Sequence, residues 1–72
     1  MDPNACLQLL ISSVNSNDID QAKDSYEDLN HWITSGGFKP EKFTENTEMA
    51  AMFRKGLVYF VPYIRSIRFS LN

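Results

Sequence analysis

A single cysteine, Cys6, and a single histidine, His31, leave this 72-residue chain no means of cross-linking itself. One cysteine cannot form an intrachain disulfide, and one histidine with one thiol cannot complete a zinc site of the usual Cys/His kind. A chain this short is one domain, residues 1–72, and it buries little more than about 60% of its unfolded surface. Without a disulfide or metal staple, such a domain depends on well-packed helices or on association. Cys6 lies among apolar residues and reads as a small core hydrophobe.

The apolar spacing is helical throughout. Asp2 followed by Pro3 is a helix start, because Asp caps orphan N–H groups and Pro lacks the N–H that would be unpaired at the first position. Cys6, Leu7, Leu10, Ile11 and Val14 then recur at helical intervals, and Asn15-Ser16-Asn17 ends the run. A second helix starts at Asn17 or Asp18, with Asp18 and Asp20 complementing its positive end. Ile19, Ala22, Tyr26, Leu29 and Ile33 form its stripe, and Gly36-Gly37 stops it. Residues 39–43 read as a turn or one short helical turn, and Thr44 is the candidate cap of a third helix.

The last third predicts a longer helix over residues 45–70. Met49, Met52, Phe53, Gly56, Leu57, Phe60, Val61, Ile64, Ile67 and Leu71 keep its spacing. Gly56 weakens it, and Pro62 removes one hydrogen bond and is expected to kink it. The competing reading ends the helix near Gly56 and leaves 57–71 extended, which requires a partner strand. A helix of this length spans roughly 39 Å, more than two shorter helices can cover. Its middle, residues 57–64, is apolar on nearly every side. Such a helix is normally buried all round, and an uncovered apolar patch marks an interaction site. The expected partner-binding residues are Leu57, Tyr59, Phe60, Tyr63, Ile64 and Ile67, with Arg65 and Arg68 beside them.

Residues 1–48 hold all nine acids and three bases, for a net charge of −6, while residues 49–72 hold four bases and no acid. Either the two parts attract each other or the C-terminal part meets an acidic partner. Nucleic-acid binding through Arg54, Lys55, Arg65 and Arg68 is the alternative function, and a basic, aromatic helix could also lie on a membrane surface. No apolar run approaches the roughly 20 residues of a membrane span. The N-terminus lacks the basic region of a signal peptide, so the expected location is the cytoplasm.

Catalytic signals are absent. Gly36-Gly37 follows a helix, whereas phosphate-binding glycines precede one. His31 has Glu27 and Asp28 one turn away, but the second copy that a di-metal bundle site needs is missing. No catalytic residue, cofactor or metal ligand is expected.

The segment Asn17-Asp18-Ile19-Asp20-Gln21-Ala22-Lys23-Asp24-Ser25-Tyr26 resembles the turn and second helix of a tetratricopeptide unit, with Ala22 and Tyr26 at its Ala-x-x-x-aromatic spacing. The likeness covers residues 5–35. The Trp and Leu-Gly positions of the unit's first helix are missing, and no second unit follows. The resemblance implies an antiparallel helical hairpin and protein binding. The expected fold is therefore all-α, an antiparallel helical hairpin packed on a longer kinked C-terminal helix. The expected function is non-enzymatic binding of another protein, or of the chain's own copy as a homo-oligomer, in the role of adaptor, assembly component or regulator.

Overall fold

A computed structural model describes residues 2–67 and is all-α. Five helices follow in order: α1 (Pro3–Asn15), α2 (Ile19–Thr34), α3 (Glu41–Glu45), α4 (Thr47–Lys55) and α5 (Leu57–Ser66).

The first two helices begin and end on local signals. The Asp2 carboxylate accepts from the Asn4 N–H at 3.0 Å with Pro3 in the first turn, and Asp18 accepts from the Gln21 N–H at 3.2 Å. Each helix closes with the same paired bonds. At α1, the Asp18 N–H donates to the Ser13 carbonyl and the Asn17 N–H to the Val14 carbonyl. At α2, the Gly37 N–H donates to the Trp32 carbonyl and the Gly36 N–H to the Ile33 carbonyl. This double bond satisfies carbonyls that a helix end would otherwise orphan, and it needs one left-handed residue. Asn17 (φ 61°) and Gly36 (φ 90°) supply it. The tight turn at 16–18 returns α2 along α1. Ser13 meets Gln21 near the turn, and the Cys6 thiol reaches the Ser25 carbonyl farther along, so the contacts run in opposite order on the two helices.

After α2, the Trp32 indole N–H donates to the Phe38 carbonyl at 2.9 Å. The indole lies over Gly37, where a Cβ would fall 2.4 Å from the ring, so this position has no room for a side chain. α3 is the short helical turn expected around Lys42 and Phe43. The cap of the next helix is Asn46, whose side chain accepts from the Met49 N–H at 3.1 Å. Thr44 was the expected cap, but its hydroxyl donates to the Glu41 carbonyl, inside α3, and is no longer free.

The expected single long helix over 45–70 is replaced by two short ones. The break falls at Gly56 (φ 117°, ψ 168°), a backbone conformation essentially confined to glycine. Pro62 sits inside α5. The extended alternative for residues 57–71 is likewise replaced by helix as far as Ser66; residues 68–71 lie outside the described part. The molecule extends 29 × 25 × 24 Å, so a straight helix of roughly 39 Å would project well beyond the other helices. Breaking at Gly56 turns α5 back against α4 and α1, and this shelters apolar surface that a straight helix would expose.

The core contains Leu7, Leu10, Ile11 and Val14 from α1, Ala22 and Leu29 from α2, Phe43 from α3, Met49 and Phe53 from α4, and Phe60 and Ile64 from α5. Phe53 is its aromatic hub. Its ring centroid lies 4.5 Å from Tyr26, 5.1 Å from Phe43 and 5.6 Å from Phe60, the last edge-to-face. Each such pair contributes about 0.5–1.5 kcal/mol beyond the burial of area. The Tyr26 hydroxyl also donates to the Phe53 carbonyl at 2.8 Å, which accepts from the Gly56 N–H as well. Ile19, read as the first member of the α2 stripe, is 45% exposed and lies outside the core.

Candidate interaction surface

α5 has two unlike faces. Phe60 and Ile64, one turn apart, are buried at 0% and 1% exposure. Leu57, Val61, Tyr63 and Ile67 flank them, half-buried against the core. On the outward side Val58 is 81% and Tyr59 59% exposed, with Pro62 exposed one turn beyond Val58. Arg65 and Ser66 continue that side in polar character. The outward face is thus apolar over its N-terminal half and polar over its C-terminal half. Being apolar on nearly every side, α5 can bury one face and still present another.

This geometry divides the residues expected to meet a partner. Tyr59 is on the open face, and Leu57 and Ile67 are at its edges. Tyr63 is an edge residue whose hydroxyl accepts from the Asn46 side-chain amide at 3.1 Å, tying α5 to the start of α4. Phe60 and Ile64 belong to the core of the single molecule; the fold-back at Gly56 encloses both, which a straight helix would not have done. Arg65 donates to the Asn17 side-chain oxygen and joins α5 to the α1–α2 turn. Arg68 lies outside the described residues. Val58, exposed on the same side, is not among the residues expected to meet a partner. The signal was present in the spacing: Phe53, Phe60 and Ile64 share one face, which leaves Val58, Tyr59 and Pro62 on the other.

Among the described residues, Arg54, Lys55 and Arg65 do not gather into one patch. Arg54 and Lys55 occupy the last turn of α4, where positive charge is favourable, while Arg65 is engaged with Asn17 at the far turn. Among the described residues the one ion pair is Lys42–Glu45 at 3.8 Å, within one helical turn, so no ion pair joins the acidic and basic parts of the chain. Among the same residues no group of three His, Cys, Asp or Glu side chains is placed to hold a metal, and no helix is long and apolar enough to cross a membrane. His31, Glu27 and Asp28 stand on the exposed side of α2. The Cys6 thiol is half-buried against the Ser25 carbonyl, and its pKa is raised by burial first and by the Asp28 carboxylate second. A raised pKa favours the neutral thiol over the thiolate. No family model, curated protein or solved structure matches the chain.

Proposed function

We propose that this chain is a small non-enzymatic protein-binding module, an adaptor, assembly component or regulator, which docks through the outward face of α5. The observation that carries the reading is the exposure of Val58 and Tyr59 side by side on a helix whose opposite face is completely enclosed. A lone exposed apolar residue means little, but adjacent ones continued by Pro62 and flanked by Leu57 form a contiguous surface. Tyr59 adds a large, rigid ring with a polar tip, the type of side chain that anchors interfaces at low entropic cost. A reducing, cytoplasmic setting suits the single thiol.

The partner is another protein or a second copy of the chain. Sedimentation velocity over a wide concentration range tests the second case, and retention of partners from native extract on immobilised protein tests the first. Val58→Asp is expected to abolish whichever association is found while leaving the helical circular dichroism unchanged. A chain that stays monomeric and retains nothing that Val58→Asp fails to retain would overturn the reading.

A further inference from the structure

A second surface, separate from the outward face of α5, lies between α2, α3 and α4. A cavity of about 190 Å³ opens there onto solvent. Phe43 and Phe53, both in the core, line it with half-buried Ile33 and Ala50 and with exposed Asn30 and Thr34. Lys39 and Arg54, both exposed, stand at its mouth, and no carboxylate lines it. Among the described residues neither base is in an ion pair.

The dimensions and the charge together define an occupant. An apolar cavity of about 150 Å³ is enough to admit benzene. The space here, about 190 Å³, therefore suits one phenyl or leucyl side chain, and it falls below the roughly 300 Å³ at which pockets begin to enclose whole small molecules. Two bases with no lining acid favour carboxylates on either side of that side chain. Arg54 has a local role at the end of the α4 dipole, but Lys39 lies in the loop before α3 and has no such role. The same loop is fixed by the bond from the Trp32 indole to the Phe38 carbonyl, so Lys39 is presented from a held backbone. Phe38, its neighbour in sequence, is 83% exposed.

We infer that this cavity binds an acidic peptide segment of a partner protein, seating one apolar side chain against Phe43 and Phe53 and placing flanking carboxylates on Lys39 and Arg54.

The experiment is a titration of the full ¹⁵N-labelled chain with the acetylated, amidated peptide Glu-Asp-Phe-Asp-Glu, followed by amide chemical shifts. Shifts are expected to centre on Thr34, Lys39, Ala50 and Arg54 and to saturate. The peptides Lys-Lys-Phe-Lys-Lys and Glu-Asp-Ser-Asp-Glu should produce none. Arg54→Glu, an exposed substitution that leaves the core intact, should weaken binding about fivefold or more. Val58→Asp should leave it unchanged, which separates this site from the α5 face. Equal binding of the lysine peptide, or shifts centred on Val58 and Tyr59, would overturn the inference. So would shifts at the cavity amides that grow with protein concentration alone, because a second copy would then be the occupant.

Discussion

Two neighbouring aromatic residues on α5 are expected to respond to the same substitution in opposite ways. Phe60 is fully enclosed, edge-to-face on Phe53 and 6.4 Å from the ring of Tyr63. Replacing it with alanine removes its transfer free energy and leaves a cavity, together about 3–5 kcal/mol. A domain of this length has a total stability of about 4–11 kcal/mol, so the loss is about a quarter of the total or more. The melting temperature should fall by at least about 12 °C, at roughly 4 °C or more per kcal/mol for a domain this small. Tyr59 is 59% exposed, and Tyr59→Ala should change stability by no more than about 0.5 kcal/mol. Urea unfolding followed by far-ultraviolet circular dichroism at low protein concentration measures both. If the α5 face self-associates, Tyr59→Ala should also remove any dependence of the melting temperature on concentration, whereas Phe60→Ala should not do so selectively. A loss below about 1 kcal/mol for Phe60→Ala, or a larger loss for Tyr59→Ala than for Phe60→Ala, would refute the assignment of inner and outer faces.

Three further outcomes test the fold. Gly56→Ala should cost about 1–3 kcal/mol in the same urea assay; a Cβ there meets nothing within 4 Å, so the whole penalty comes from the positive φ, and a neutral result would place the break elsewhere. Tyr26→Phe should cost about 1 kcal/mol through loss of the bond to the Phe53 carbonyl. Burial raises the Tyr26 pKa, so its neutral form is favoured by folding; that stability is complete below the ordinary tyrosine value of about 10 and is lost as pH rises through the higher folded value, a loss that Tyr26→Phe should reduce in alkaline unfolding curves. Cys6 should react with a disulfide reagent more slowly in the folded chain than in urea at about pH 8, and Asp28→Asn should accelerate the folded reaction; equal folded and unfolded rates would mean that the thiol is not sheltered.

The residues that announce themselves locally were legible. Asp2, Pro3, Asp18 and the Gly36-Gly37 pair act within one turn of their own position, and α1 and α2 begin and end there. The all-helical class followed from spacing, and spacing also identified most of the buried face of α1. The third helix was not legible for a reason of range. Between Gly56 and Pro62, local propensity points to proline as the disruptor, since it removes a bond and crowds the preceding turn. A proline can remain in a helix when the surrounding contacts outweigh that cost. A glycine with positive φ is useful only if the chain must turn there, and the need to turn arises from Phe60 and Ile64 reaching α1 and Phe53, contacts distant in sequence. Asn46 outcompeted Thr44 as a cap for a related reason: α3 had already engaged the threonine hydroxyl.

The fold-back at Gly56 changes what the apolar C-terminal third implies. On a straight helix, Phe60, Tyr63 and Ile64 would all need an external cover, and association would be a condition of stability. With α5 folded onto α1 and α4, the chain shelters the Phe53–Phe60 pair itself. The apolar surface that remains, Val58, Tyr59 and Pro62 on α5, is then more than the core requires. Residues dispensable for folding can be matched to a partner without destabilising the single molecule, so the module can be stable alone and still bind. The expected consequence is a separation of phenotypes: substitutions on the outward face alter association at constant stability, and substitutions on the inward face alter stability first. A double substitution, Val58→Asp with Tyr59→Ala, that lowered the urea midpoint as much as Phe60→Ala would show that the outer face is structural after all.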